Sequence, residues 1–105
     1  MEIIETPVFT KRVAEILSEE EYRELQSELI RDPRAGALIP GCGGLRKLRW
    51  RIRGKGKRGG IRLIYYVAFS RSIMLMVFLY RKSETGDLTQ KQLKILRDHI
   101  QGDES

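Results

Sequence analysis

The 105-residue sequence has one cysteine, one histidine and three prolines. A lone cysteine, Cys42, leaves no internal disulfide framework and no cysteine-based zinc site. A lone histidine, His99, leaves no histidine pair for acid–base chemistry; it falls on the last predicted helix and reads as a surface or packing residue. The longest apolar run is too short to cross a bilayer and has the length of a strand, so no membrane partner is expected. The N-terminal "MEIIETPVF" carries two acids and no basic region, unlike a secretory signal, and the expected location is the cytoplasm. The most informative absence is of carboxylates. Between Pro33 and Ser83 there are thirteen cations and no acid, whereas residues 1–32 hold four cations and nine acids and residues 84–105 hold three and five. The formal charge of +6 therefore understates the basic block. Such a block cannot neutralise itself locally and commonly meets a polyanion or an acidic protein; a solvated basic surface is the plainer alternative. Without clustered oxygen ligands in that block, no metal and no cofactor is expected there.

The hydrophobic content of 41% suits a single small domain, here residues 1–101, followed by a polar tail at 102–105 expected to fray. Glu2 to Glu5 reads as a strand. Thr6 is placed to cap a helix whose first residue is Pro7, a position where the missing N–H costs little. Phe9, Val13, Ile16 and Leu17 follow at helical spacing. Ser18 with Glu21 forms a capping box for a second helix with the apolar stripe Tyr22, Leu25 and Leu29, ended by Asp32-Pro33. A glycine-rich loop at 33–44 follows. The period then changes to two: Leu48, Trp50 and Ile52 alternate with Lys47, Arg49, Arg51 and Arg53, as in a strand with one apolar and one cationic face. "IRLIYYVAF" and "IMLMVFLY" read as a central antiparallel hairpin joined at "SRS". Thr89 and Gln92 form a second capping box for a last helix that turns Leu93, Leu96 and Ile100 inward. The order β-α-α-β-β-β-α predicts an α+β domain with a small, mainly antiparallel twisted sheet packed by helices.

Gly54, Gly56 and Gly59 match Gly-x-Gly-x-x-Gly, but a dinucleotide fingerprint opens a helix and is trailed by an acid about 20 residues on. Here a strand follows, and the next acid is Glu84. The glycines are expected to bend a cationic turn. Lys47, Arg49 and Arg51 share one strand face, Arg62 opens the next strand, and Lys55, Lys57 and Arg58 rim the turn. Arginine forks and lysine point charges suit phosphate oxygens, and Trp50, Tyr65, Tyr66 or Tyr80 could stack on unpaired bases. By parity with Leu48 and Ile52, Trp50 is better read as core, and Tyr65 and Tyr66 face opposite ways. RNA cleavage by transesterification needs a base for the 2′-OH, cations for the crowded phosphate and an acid for the leaving oxygen. With no histidine pair and no local carboxylate, such chemistry would fall to Lys, Arg and Tyr. A lysine crowded by arginines gains access to its neutral form.

The blocks "LSEEEYRELQ", "IPGCGGLRKLRW", "GKGKRGGIRLIYY" and "DLTQKQLK", in that order, resemble the RelE/HigB superfamily of type II toxin–antitoxin toxins, and in particular its HigB-like branch. The resemblance runs from the first strand to about Leu96. It implies a RelE-like fold and a metal-independent mRNA interferase, an endoribonuclease that inhibits translation by cutting mRNA in the ribosomal A site. It implies as partners the 70S ribosome, mRNA and a neutralising antitoxin, expected to be a helix-turn-helix protein whose acidic segment covers the basic face of an otherwise monomeric toxin. Carried over by residue, the catalytic set becomes Lys47, Arg49, Arg62, Tyr80 and Lys82. Arg46, Arg51, Arg53, Lys55, Lys57, Arg58, Arg81 and Ser83 become the RNA- or ribosome-contacting set. Family members often carry arginine or a polar amide where Ser83 stands. Two alternatives accompany this reading: a ParE-like inhibitor of DNA gyrase on the same fold, and a basic RNA- or ribosome-binding module without catalysis.

Overall fold

A computed structural model describes residues 1–52, 54, 60–84 and 88–104, with side chains through residue 98. Strand β1 (Glu2–Glu5) leads into helices α1 (Pro7–Ile16) and α2 (Glu19–Arg31). Strands β2 (Ala37–Leu38), β3 (Arg46–Arg51), β4 (Gly60–Ala68) and β5 (Ile73–Arg81) follow, and helix α3 (Gln90–Glu104) ends the chain. The expected boundaries are met where local chemistry fixes them. The Thr6 hydroxyl accepts from the Phe9 N–H with Pro7 in the first helical turn, and Ser18 and Glu21 satisfy each other's backbone N–H groups. At α3, Thr89 and Gln92 do the same. One detail differs from expectation: the loop at 33–44 contains the two-residue strand β2, paired with Arg46 and Lys47 of β3. The backbone of α3 is helical through Glu104.

The sheet order is β1-β5-β4-β3-β2. The β3-β4-β5 meander is antiparallel, and β1 pairs in parallel with Ile73 to Met76 of β5. One face packs against α1 and α2. Phe9, Val13, Ile16, Leu17, Leu25 and Leu29 from the helices meet Ile61, Leu63, Tyr65, Met74, Met76 and Leu79 from the sheet. The opposite face carries a second cluster, in which Ile64, Val77 and Tyr80 are covered by Cys42 and Leu45 of the preceding loop and by Leu93 of α3. The central hairpin is thus buried on both faces, which accounts for its uninterrupted apolar sequence. A register shift between Ile64 and Tyr65 leaves Val77 without a partner position, so Val77 and Phe78 both join the second cluster.

The β2 corner is tied down by polar contacts. The Tyr65 hydroxyl donates to the Pro33 carbonyl at 2.9 Å and accepts from the Gly36 N–H at 2.8 Å. Burial pushes the Tyr65 hydroxyl pKa upward, against the opposing effect of the Gly36 N–H. A methyl on Gly36 would meet the Tyr65 ring at 2.7 Å and the Lys47 backbone at 3.1 Å, so the loop can approach β3 this closely only as glycine.

Candidate nucleic-acid interface

Cross-strand register brings the predicted cations of β3 and β4 together. Arg49 faces Arg62, and Arg51 faces Gly60. Opposed like charges destabilise a sheet unless solvent or a counter-anion lies over them. β5 continues the same face, with Tyr80 opposite Arg62. Beyond β5, a turn closed by the Glu84 N–H on the Arg81 carbonyl carries Lys82 and Ser83, and the Lys82 N–H donates to the Gly60 carbonyl at 3.1 Å. The result is an open cleft of about 670 Å³. Arg49, Arg51, Arg62 and Lys82 supply its charge, and Trp50, Gly60 and Ser83 complete its walls.

Arg62 is the buried member, 9% exposed. One of its terminal nitrogens donates to the Ile61 carbonyl at 3.2 Å, and its Nε has no hydrogen-bond partner among the described residues. A buried guanidinium donor is costly to leave unsatisfied, and it matches the oxygens of a phosphate. Lys47 is half-buried and lies on the same face as Arg49, one pleat repeat or roughly 7 Å further along β3, outside the cleft lining.

Three predicted site residues are placed differently. Tyr80 is 1% exposed and sits in the second core cluster, tilted against Phe78 with ring centroids 5.9 Å apart, so it offers no face for stacking a base. A stacking role does not fit this burial; Tyr80 stands opposite Arg62 across the β4–β5 pair. Arg46 lies on the other sheet face, opposite Tyr65, and donates to the Gly36 carbonyl at 2.8 Å. It braces the β2 corner and lies away from the cleft. Arg81 also points to the helical face, where it donates to a Glu84 oxygen at 2.9 Å and to the Glu15 carbonyl at 3.3 Å. Strand parity separates both from the cationic face, since neighbours along a strand point to opposite sides. Arg53, Lys55, Lys57 and Arg58 lie outside the described residues, as do Gly56 and Gly59; Gly54 takes φ +80° at the start of that turn. The side chain of His99 is likewise outside them.

Trp50 is half-buried against the helical core, as its parity suggested, yet part of it lines the cleft. On its other side, between α2 and β3, runs a groove of about 610 Å³ lined by Glu20, Glu24 and Glu28 together with Arg23 and Arg31. Arg51 completes this lining, so three carboxylates meet three guanidiniums and the basic cleft has a charge-balanced neighbour across one tryptophan, a juxtaposition that the linear charge blocks hid. Sequence reasoning also passed over Arg12 and Glu84. Glu84 was visible as the first carboxylate after the acid-free block. The Arg12 guanidinium, reinforced by that of Arg81, holds the Glu84 carboxyl below the usual carboxylate range. Among the described residues, no three side chains of His, Cys, Asp or Glu converge as metal ligands would, and no helix is long and apolar enough to cross a membrane.

No family model matches the sequence. Among solved structures, the chain is similar to a double mutant of the E. coli toxin RelE in the free state, with a TM-score of 0.57 at 17% identity over 80% of this chain and 85% of that one. The three helices, the five-stranded sheet and this likeness together identify the architecture as a RelE-like α+β fold.

Proposed function

We propose that the protein is the toxin of a type II toxin–antitoxin system, a ribosome-dependent mRNA endoribonuclease of the HigB-like branch that acts in the cytoplasm. The observation that carries this reading is the cleft in which Arg49, Arg51 and Lys82 surround the buried Arg62, whose Nε has no partner among the described residues. Cleavage would proceed by attack of the 2′-oxygen on the adjacent phosphorus. The P–O5′ bond breaks, leaving a 2′,3′-cyclic phosphate and a free 5′-hydroxyl. Arg62 and Arg49 stabilise the added charge on the phosphorane oxygens, where preorganised donors act most strongly. Lys47 or Lys82 takes the 2′-proton, and a lysine on the opposite side of the phosphate returns one to the leaving oxygen. Tyr80 stands opposite Arg62 on β5. Arg51, Ser83 and the turn bearing Arg53, Lys55, Lys57 and Arg58 contact message or ribosomal RNA. A cognate antitoxin with an acidic segment covers the cleft and supplies the missing counter-charges.

Inducible expression in bacteria tests this, with primer-extension mapping of message ends. New ends within translated codons, absent when translation is blocked, are expected. Intact message with arrested growth, DNA breaks and SOS induction would instead favour gyrase inhibition on the same fold. Intact message with unimpaired growth and soluble protein would reduce the cleft to a binding surface.

A further inference from the structure

Strand β1 covers β5 only as far as Met76, so the rest of β5 runs along an edge. Its outward carbonyls are nonetheless satisfied. The Thr6 hydroxyl donates to the Val77 carbonyl at 2.7 Å, and Arg12 Nε donates to the Leu79 carbonyl at 3.0 Å. The same Arg12 guanidinium reaches a Glu84 oxygen at 3.1 Å, while Arg81 holds the other Glu84 oxygen at 2.9 Å. Arg81 in turn donates to the Glu15 carbonyl of α1. One carboxylate therefore joins the helical layer to the end of β5, immediately after the two residues that wall the cleft. Among the described residues, the backbone bond to Gly60 is what fixes the level of Lys82.

We propose that Glu84 is a positioning residue for the cleft: clamped by Arg12 and Arg81, its carboxylate fixes the turn that aims Lys82 at bound RNA phosphate. The idea rests on the reading of the cleft as an RNA site. Glu84 does not touch the substrate; like-charge logic alone would have a carboxylate here weaken RNA binding. Arg81 lies on the opposite side of the sheet from Arg49 and Arg62, and Arg12 stands over Phe78 outside the cleft lining, so the clamp withdraws no charge from the cleft.

The test is a double-mutant cycle on the affinity of the full-length protein for a fluorescein-labelled single-stranded RNA decamer. Lys82→Ala is expected to weaken binding about fivefold in the wild-type background, the effect of one lost phosphate contact. In the Glu84→Gln background the same change should cost under about twofold, because the lysine is no longer aimed. Arg12→Gln should reproduce that loss of coupling, so the result does not hang on one variant. Circular dichroism at the assay temperature confirms that each variant is folded. Equal Lys82 losses in all backgrounds overturn the positioning role, whatever the protein does to message. Coupling as expected, with ribosome-bound message left uncut, overturns the proposed cleavage and leaves the positioning role standing. Wild-type protein that does not bind the decamer overturns both.

Discussion

Arg62 and Arg81 stand opposite adjacent positions across one strand pair, and that single step of parity sets their chemistry. Arg62 faces Tyr80 on the cleft side, while Arg81 faces Ile61 on the helical side. On the proposed mechanism, Arg62→Ala should cut cleavage of ribosome-bound message by about a hundredfold, the loss typical of one preorganised donor to a developing oxyanion. Arg62→Lys should restore little, since a point charge cannot reproduce the guanidinium fork; single-turnover cleavage measures both. Arg46 gives the contrasting case, because its charge is spent on the Gly36 carbonyl. Arg46→Ala should lower stability by about 1–2 kcal/mol in urea unfolding, the loss of a charge-assisted hydrogen bond. Its RNA affinity should keep the wild-type salt slope, whereas Arg49→Ala should make that slope shallower by about one unit. No periodicity separates the bracing Arg46 from the cleft-lining Arg49 by role, and the family resemblance grouped both with RNA. Alternation places them on opposite faces, but only the loop folded against β3 shows what the face of Arg46 meets.

At the scale of elements, the helix starts and the central hairpin were legible because local chemistry determines them. A capping box closes over four residues, and a strand buried on both sides must be apolar throughout. Strand β2 was not legible, since two residues carry no period. It exists because Gly36 lets the loop reach β3 and because Tyr65, from the far strand, bridges Pro33 and Gly36. Gly36→Ala should therefore destabilise the fold by about 1–3 kcal/mol, the cost of overpacking, with the Lys47 backbone unable to yield. Tyr65→Phe should cost about 1–2 kcal/mol by leaving the Gly36 N–H without its acceptor. Urea unfolding curves check both.

Across the whole molecule, the acid-rich N-terminal third supplies helices α1 and α2 and the edge strand β1, and the acid-free middle supplies the other four strands, so the two charge blocks meet along the sheet. Glu84 connects them through Arg12 and Arg81. Its folded pKa is depressed, so its contribution to stability is present above the unfolded carboxylate range and is lost as pH falls through the folded value. Thermal unfolding of Glu84→Gln should thus differ from wild type at pH 7 and converge with it in strong acid. Tyr22 gives the alkaline counterpart. Burial and the Glu5 carboxylate, which accepts from its hydroxyl at 2.6 Å, raise its pKa, so its contribution is complete below the ordinary phenol range and lost above it. The sequence by itself determined the order of every element but β2, the helix caps, the apolar faces and the existence of a cationic strand, because these depend on neighbours within a few residues. Only the tertiary structure decided which cations share the cleft, that Tyr80 is buried, and that Glu84 is clamped beside the cleft. Those facts depend on strand register and on contacts between residues about seventy positions apart, such as Arg12 and Glu84, which no local pattern encodes.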